Sequence, residues 1–409
     1  MWDLTRIQTL ILYFIVIWYL MMPFTKSFSL GKFGQIDLNL SRLMGIIVVI
    51  MCSALIPFMI RETKSFRLLF SAFLLIVLCF ANVFIDTIPQ KTITVFIRIY
   101  GGVLLLLFFA PSMSAINVVK IRKCITLIAT ATAIFTVIQF ILIKISFSLA
   151  VKIFGIDSFW MGTEIIRPRG LIESVGGSAA VMTTGLLCIF FNSLKGKVRI
   201  SDYLLISIIV FGLLLNFTRT YVFLIPIFIF INLTAYKRYT KSIGLAFLFL
   251  AVLGVSIGII GLNTVNERFD DLPGFNSGNV KRQNLFMGRV ELFEDVWSEF
   301  LNNDVINKLI GSGLNWTGNT LKKKYGIEAS THNDFVWLIG NLGILGCLVY
   351  LLFLFSILTS YKNTDKFFFY SYMFLFFVIS GFGGETIPIA GHKYLQFIFL
   401  GYLINYNNT

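Results

Sequence analysis

The feature that most limits what this chain can fold into is the recurrence, along its whole length, of apolar stretches of about 16 to 25 residues. Wound as helices at about 1.5 Å per residue, such stretches cross roughly 30 Å of hydrocarbon. About twelve occur, covering residues 8–24, 43–60, 68–85, 96–112, 124–148, 176–193, 203–217, 221–235, 243–262, 333–357, 367–383 and 390–405. Only "TRT" interrupts the run that holds the seventh and eighth. Composition agrees: 13% of the 409 residues are charged and 57% hydrophobic, against about 25% charged in soluble domains. The expectation is an all-α polytopic integral membrane protein, one membrane domain over residues 1–409. The first stretch is too long for a removable signal peptide and has no small-residue cleavage site behind it, so it is expected to stay as an anchor.

The formal charge of +14 matters less than where it sits. Basic residues gather in alternate connections: Arg61, Lys64 and Arg67; Lys120, Arg122 and Lys123; Lys195, Lys197 and Arg199; Lys237, Arg238 and Lys241; Lys362 and Lys366. By the positive-inside rule these connections and both termini are cytoplasmic. The outer loop 25–42, with Lys26, Lys32 and Arg42, departs most from that bias. No basic stripe interleaved with aromatics is left over for nucleic acid. The five cysteines stand singly in or beside apolar runs, and neither CxxC nor HExxH spacing is present, so neither a disulfide framework nor a metal site is expected. No Walker loop, GxSxG elbow or fixed-period repeat occurs.

One connection differs from the rest. Residues 263–331, between the ninth and tenth stretches, form a large outer loop, and loops of such length are functional or disordered. Within it "FMGRVELFEDVWSEFL" has helical periodicity: Phe286, Val290, Phe293, Val296, Trp297 and Phe300 share a face, with Glu291, Asp295 and Glu299 opposite. Arg289 falls inside the apolar stripe. An arginine there either snorkels at a lipid surface or points into a protected cavity and meets an anion.

The loop ends in "STHNDFVWLIGNLGILG". Thr331 and Asp334 have the spacing of a capping box, which would put His332 in the first turn of the tenth span, at the positive end of its dipole. That field keeps an imidazole neutral near pH 7, the state a general base needs. The bland alternative is a boundary histidine acting as a cap. Further cations lie on the same side: Arg167 and Arg169 in "RPRGLIESVGG", Arg219 in "NFTRTYVF", and Lys91 and Arg98 near the outer half of the fourth span. Each alone reads as an interface anchor, but together they describe an arginine-rich outer cavity able to grip a diphosphate.

The order "FTRTY", "MGRVELFEDVW", "IGSGLNW", "THNDFVWLIGNLGILG" resembles the O-antigen polymerase and O-antigen ligase superfamily of bacterial envelopes, most closely over the C-terminal half. The resemblance implies a GT-C-like glycosyltransferase in the bacterial inner membrane, with its active site and the large loop facing the periplasm. It implies donor and acceptor oligosaccharides linked to undecaprenyl diphosphate, no metal or other cofactor, and a chain-length regulator and a flippase of the same pathway as partners. Arg219, Arg289 and His332 match the family's essential arginines and histidine, and Arg169 matches the arginine ahead of the sixth span in polymerases. Arg167, Lys91 and Arg98 would assist in binding substrate. Asn333 would orient a hydroxyl or the ring, and Glu385 in "GGETIP" would partner the imidazole. Ser330 and Thr331 stand where ligases carry a second histidine, which favours a polymerase over a ligase. A lipid-linked oligosaccharide flippase, the reading from another class, gives no reason for the long loop, and the inverted repeats of a secondary transporter are not seen.

The alternation of basic loops generates a test. Cysteines replacing Lys197 and Arg238 are expected to resist a membrane-impermeant thiol reagent in intact cells, and one replacing Ser277 to react. Labelling at position 197 would invert the topology.

Overall fold

The computed structural model describes residues 4–25, 29–33, 36–63, 65–85, 89–110, 115–156, 159–161, 166–172, 174–195, 199–216, 218–237, 244, 289–325, 333–360, 366–382 and 392–405. Helices dominate. Before the long loop run α1 (Leu4–Thr25), α2 (Leu40–Ala54), α3 (Ile56–Glu62), α4 (Phe66–Val83), α5 (Pro89–Phe109), α6 (Ala115–Ile145), α7 (Phe147–Phe154), α8 (Val175–Lys195), α9 (Ile200–Leu215) and α10 (Arg219–Ala235). Within and after the loop come α11 (Arg289–Asn302), α12 (Val305–Ile310), α13 (Trp316–Tyr325), α14 (Asp334–Ser360), α15 (Lys366–Phe382) and α16 (His392–Asn405). Two antiparallel hairpins, β1 (Ser29–Phe33) with β2 (Ile36–Asn39) and β3 (Phe159–Met161) with β4 (Ile166–Pro168), are the strands the apolar pattern did not announce.

Among the described residues five helices, α1, α4, α5, α6 and α14, are long and apolar enough to cross a membrane, and α2, α8, α9, α10, α15 and α16 carry shorter apolar runs. That is the architecture of a helical, multi-pass membrane protein. The expected ninth stretch, 243–262, lies outside the described residues apart from residue 244.

Helix boundaries follow local chemistry. The expected second stretch, 43–60, is two helices, because Pro57 has no N–H to continue the ladder and the chain restarts as α3. The fifth also divides, at Ser146, whose hydroxyl caps α7 by accepting from the Leu149 N–H (3.4 Å). The run at 203–235 does separate into α9 and α10, with a corner at 216–218.

The α6 helix packs at close range on both α8 and α9, which also touch each other. A Cβ at Gly185 would come within 2.1 Å of Ala129 Cβ, and one at Gly212 within 2.7 Å of Ala133 Cβ, so small residues set both crossings. An aromatic seam joins α8, α10 and α15: Phe191 and Phe228 lie 4.5 and 5.4 Å from Phe368, ring centre to ring centre.

The frame that positions the loop is the antiparallel pair α4 and α14. At one end the Ser360 hydroxyl donates to Ser65 Oγ (2.9 Å), between the basic sequences 61–67 and 362–366. At the other end the Asn82 amide donates to the Ile310 carbonyl (2.9 Å) and its Oδ1 accepts from the Gly313 N–H (3.3 Å). The α14 helix is broken there, at Gly343 (φ 69°, ψ −175°). From the break to Ser360, and from Phe66 to Val83, each helix rises about 27 Å, close to the hydrocarbon thickness. The tenth span, expected from residue 333, starts as a helix at Asp334, and its nine residues before Gly343 also pack against the loop. Into the break fits the segment after α12. A Cβ at Gly311 (φ 98°) would lie 2.2 Å from the Asn341 carbonyl oxygen, and one at Gly343 would lie 2.5 Å from that of Leu309. Asn341, fully buried, locks the join: its Oδ1 accepts from the Thr317 N–H (3.0 Å), and its Nδ2 donates to Thr317 Oγ1 (2.9 Å) and the Trp337 carbonyl (2.8 Å).

Gly311→Ala is therefore expected to destabilise the protein by on the order of 3 kcal/mol, from overpacking against backbone together with left-handed strain. Gly155→Ala, which shares a positive φ but meets no atom within 4 Å, should lose only about 1 kcal/mol. Thermal unfolding in detergent checks the difference; equal midpoints would refute the packing at Gly311.

Candidate functional site

The helix that "THND" introduces begins at Asp334, two residues after His332. Its cap is Asn333, whose Oδ1 accepts from the N–H groups of Phe335 (2.9 Å) and Val336 (3.1 Å), while its carbonyl accepts from Trp337 (3.0 Å). The expected Thr331–Asp334 capping box is thus corrected. Asn is a stronger cap than Thr, and with Asn333 in that place Val336, not a carboxylate, occupies the third helical position. His332 precedes the cap in sequence rather than entering the first turn, and itself lies outside the described residues, as does Glu385. Asp334 in the first turn is fully buried and within electrostatic reach of Tyr221, two residues into α10 from Arg219. A carboxylate there complements the helix dipole.

The RPRG segment is pinned from three sides. Arg167, on β4, is 9% exposed, and its Nε and Nη2 donate to the Asn216 carbonyl (3.3 and 3.2 Å), with Nη2 also reaching Thr218 Oγ1 (3.4 Å). The Asn216 side chain returns a bond to the Pro168 carbonyl (3.3 Å), and the Thr218 hydroxyl bonds Asn216 Oδ1. From α6, Gln139 donates to the Gly170 carbonyl (3.1 Å) and accepts from the Gly170 N–H (2.8 Å). From α8, the Ser178 hydroxyl bonds the carbonyl of half-buried Arg169. Carbonyls left over at the end of α9 attract a cation, so Arg167 acts at the corner that leads into α10, and Arg219 is the first residue of that helix.

The other candidates stand on α5 and α11. Arg98 of α5 lines a cavity of about 20 Å³ with Leu75, Cys79, Leu338 and Leu342 among its walls, room for about one water rather than a sugar diphosphate. Lys91 is the third residue of α5. Arg289 is the first residue of α11, which begins there rather than at Phe286. The α11 wheel is recovered in part: Val296 and Phe300 are buried, whereas Trp297, assigned to the same face, is 46% exposed. Its opposite face is not simply solvated, because Asp295 meets Lys324 and Tyr325 of α13. Partial desolvation works to raise the Asp295 carboxyl, but those two hydrogen bonds and the Lys324 charge outweigh it and hold the group below the usual carboxylate range.

Near the start of α14, then, Tyr221 of α10 lies within electrostatic reach of Asp334, Arg98 of α5 lines a cavity with Leu338 and Leu342, and α11 packs on α14, whereas Arg167 is held at the α9–α10 corner. The polar residues that assemble them, Asn82, Gln139, Asn216 and Asn341, were not singled out from sequence. A lone amide in an apolar run signals a buried partner, but nothing in the run says which. Among the described residues no group of three or more His, Cys, Asp or Glu could hold a metal ion. No family model matches the chain, and no curated protein matches it in sequence.

Asn333→Ala removes the acceptor for two N–H groups and is expected to destabilise the helix start by about 1 kcal/mol, whereas Asn333→Asp keeps the cap. Hydrogen exchange at the Phe335 and Val336 amides should be faster in the alanine variant alone. Unchanged protection in both would mean the cap is not used.

Proposed function

We propose that the chain is a lipid-linked polysaccharide polymerase of the O-antigen polymerase and ligase kind: a GT-C-like membrane glycosyltransferase with about twelve spans, in the bacterial inner membrane with its site at the periplasmic face. The observation that supports this reading is that α10 and α11, which begin at Arg219 and Arg289, both reach α14, the helix whose cap Asn333 follows His332 in sequence. A diphosphate leaving group develops charge that fixed guanidinium groups stabilise without reorganising.

In this mechanism His332 accepts the proton of a sugar hydroxyl on one undecaprenyl-diphosphate-linked repeat unit. The hydroxyl oxygen bonds to the anomeric carbon of the growing chain as the bond from that carbon to the diphosphate oxygen breaks. The diphosphate leaves with the electron pair, and one direct displacement inverts configuration. Arg219 and Arg289, with Arg169, hold the leaving group, while Arg167 holds the corner that presents Arg219. Asn333 fixes where the helix starts and so where the residue before it is held.

Loss of the gene is expected to leave surface polysaccharide as core plus a single repeat unit, with no ladder on a gel. Bare core, with long chains accumulating on undecaprenyl diphosphate, would make the protein the ligase. His332→Ala should lower transfer on the order of 10²-fold or more. Arg289→Lys should lose most activity despite keeping its charge, because lysine cannot present a planar fork; full activity would end the diphosphate-grip reading.

A further inference from the structure

The end of α11 and the whole of α12 present a row of large apolar side chains outward: Trp297 (46% exposed), Leu301 (52%), Val305 (70%), Ile306 (67%) and Leu309 (50%). They belong to one ordered unit. Asp304 caps α12 by accepting from the Asn307 N–H (2.7 Å), and Asn303 donates to Ser312 Oγ across the turn (3.1 Å). Five such residues within thirteen, in a segment that crosses no membrane, would form an unusually apolar patch in water.

The depth at which this patch sits is set by the α4–α14 frame. With the Ser65–Ser360 contact at one face of the hydrocarbon, the helical rise puts Asn82 and Gly343 at the other. It is there that the Ile310 carbonyl meets Asn82 and the Leu309 carbonyl meets the break at Gly343. The flanks of both helices beside that point are exposed and apolar: Phe80 and Phe84 at the end of α4, and Ile344 and Leu348 just past the break. The α12 face therefore adjoins a lipid-facing surface at its outer margin. Lys308 on α12 supplies a cation at the level of the headgroups, and Trp297 is of the residue type that collects at membrane interfaces.

We infer that α12 and the last turn of α11 form an interfacial lipid anchor: the extramembrane segment is laid on the outer leaflet, with Val305, Ile306 and Leu309 inserted between headgroups. The anchor fixes the height of α11, and of Arg289 at its start, above the bilayer. It does not rest on the reaction proposed above.

The test uses the full chain in vesicles of phosphatidylethanolamine and phosphatidylglycerol, with an environment-sensitive fluorophore on cysteines replacing Ile306, Leu309 or, as a comparison on the exposed polar face, Glu299. Unsubstituted protein, with its five free cysteines, is labelled in parallel to set the background. Emission at 306 and 309 is expected to shift to the blue and to be quenched several-fold more than at 299 by lipids spin-labelled near the headgroup. Adding Val305→Asp and Ile306→Asp should remove the quenching at 309. Equal quenching at 306 and 299, with equal access to aqueous iodide, would overturn the anchor. So would blue emission that lipid does not quench, accompanied by cross-linking between two copies through position 306, which would make the face a contact between chains.

Discussion

The end of the protein where α4 finishes and the loop joins α14 depends on a peptide segment inserted at the break in that helix. Backbone packed among apolar helices must have its polar groups satisfied. Here two side-chain amides carry much of that duty, Asn82 at the end of α4 and Asn341 inside α14. The approach is possible only because Gly311 and Gly343 bring no Cβ into it and both hold positive φ values. The motifs "IGSGLNW" and "GNLGILG" are thus two halves of one joint. Gly311 and Gly343 are explained by their close contact across it.

The joint also divides α14. Its break at Gly343 sets off the first nine residues, which carry a buried carboxylate at Asp334 and a capped start at Asn333. The arginines divide by what surrounds them. Arg167 is engaged by carbonyl oxygen and hydroxyl at the α9–α10 corner, so its charge holds the fold together there. Arg98 lines a small cavity walled largely by apolar side chains. Arg219 and Arg289 stand first in their helices. A group of cations that looks uniform in the sequence therefore occupies different structural settings.

How much was legible in advance depended on the range of the interaction. The split of 203–235 at "TRT" was readable because a charged residue between two apolar runs cannot be left in hydrocarbon. The break at Pro57 was readable in principle, since proline acts on its own helix, yet the run through it passed for one span. Spacing alone points to a cap at Thr331 rather than Asn333, because two capping residues two positions apart compete and the choice between them rests on where the packed helix begins. The hairpin bearing Arg167 gave no local signal, its strands being only three residues each.

By itself the sequence determined the class of the protein, a helical multi-pass membrane protein. Apolar length is a sum over local transfer energies, and it needs no partner to act. Tertiary structure alone decided which amide meets which carbonyl, where α14 stops being continuous, and that Arg167 turns inward to Asn216. Those outcomes depend on pairs of residues such as Asn82 with Ile310 and Gln139 with Gly170, separated by tens to hundreds of positions. A polar group in an apolar run announces that it must be satisfied, and only the packed arrangement supplies the partner.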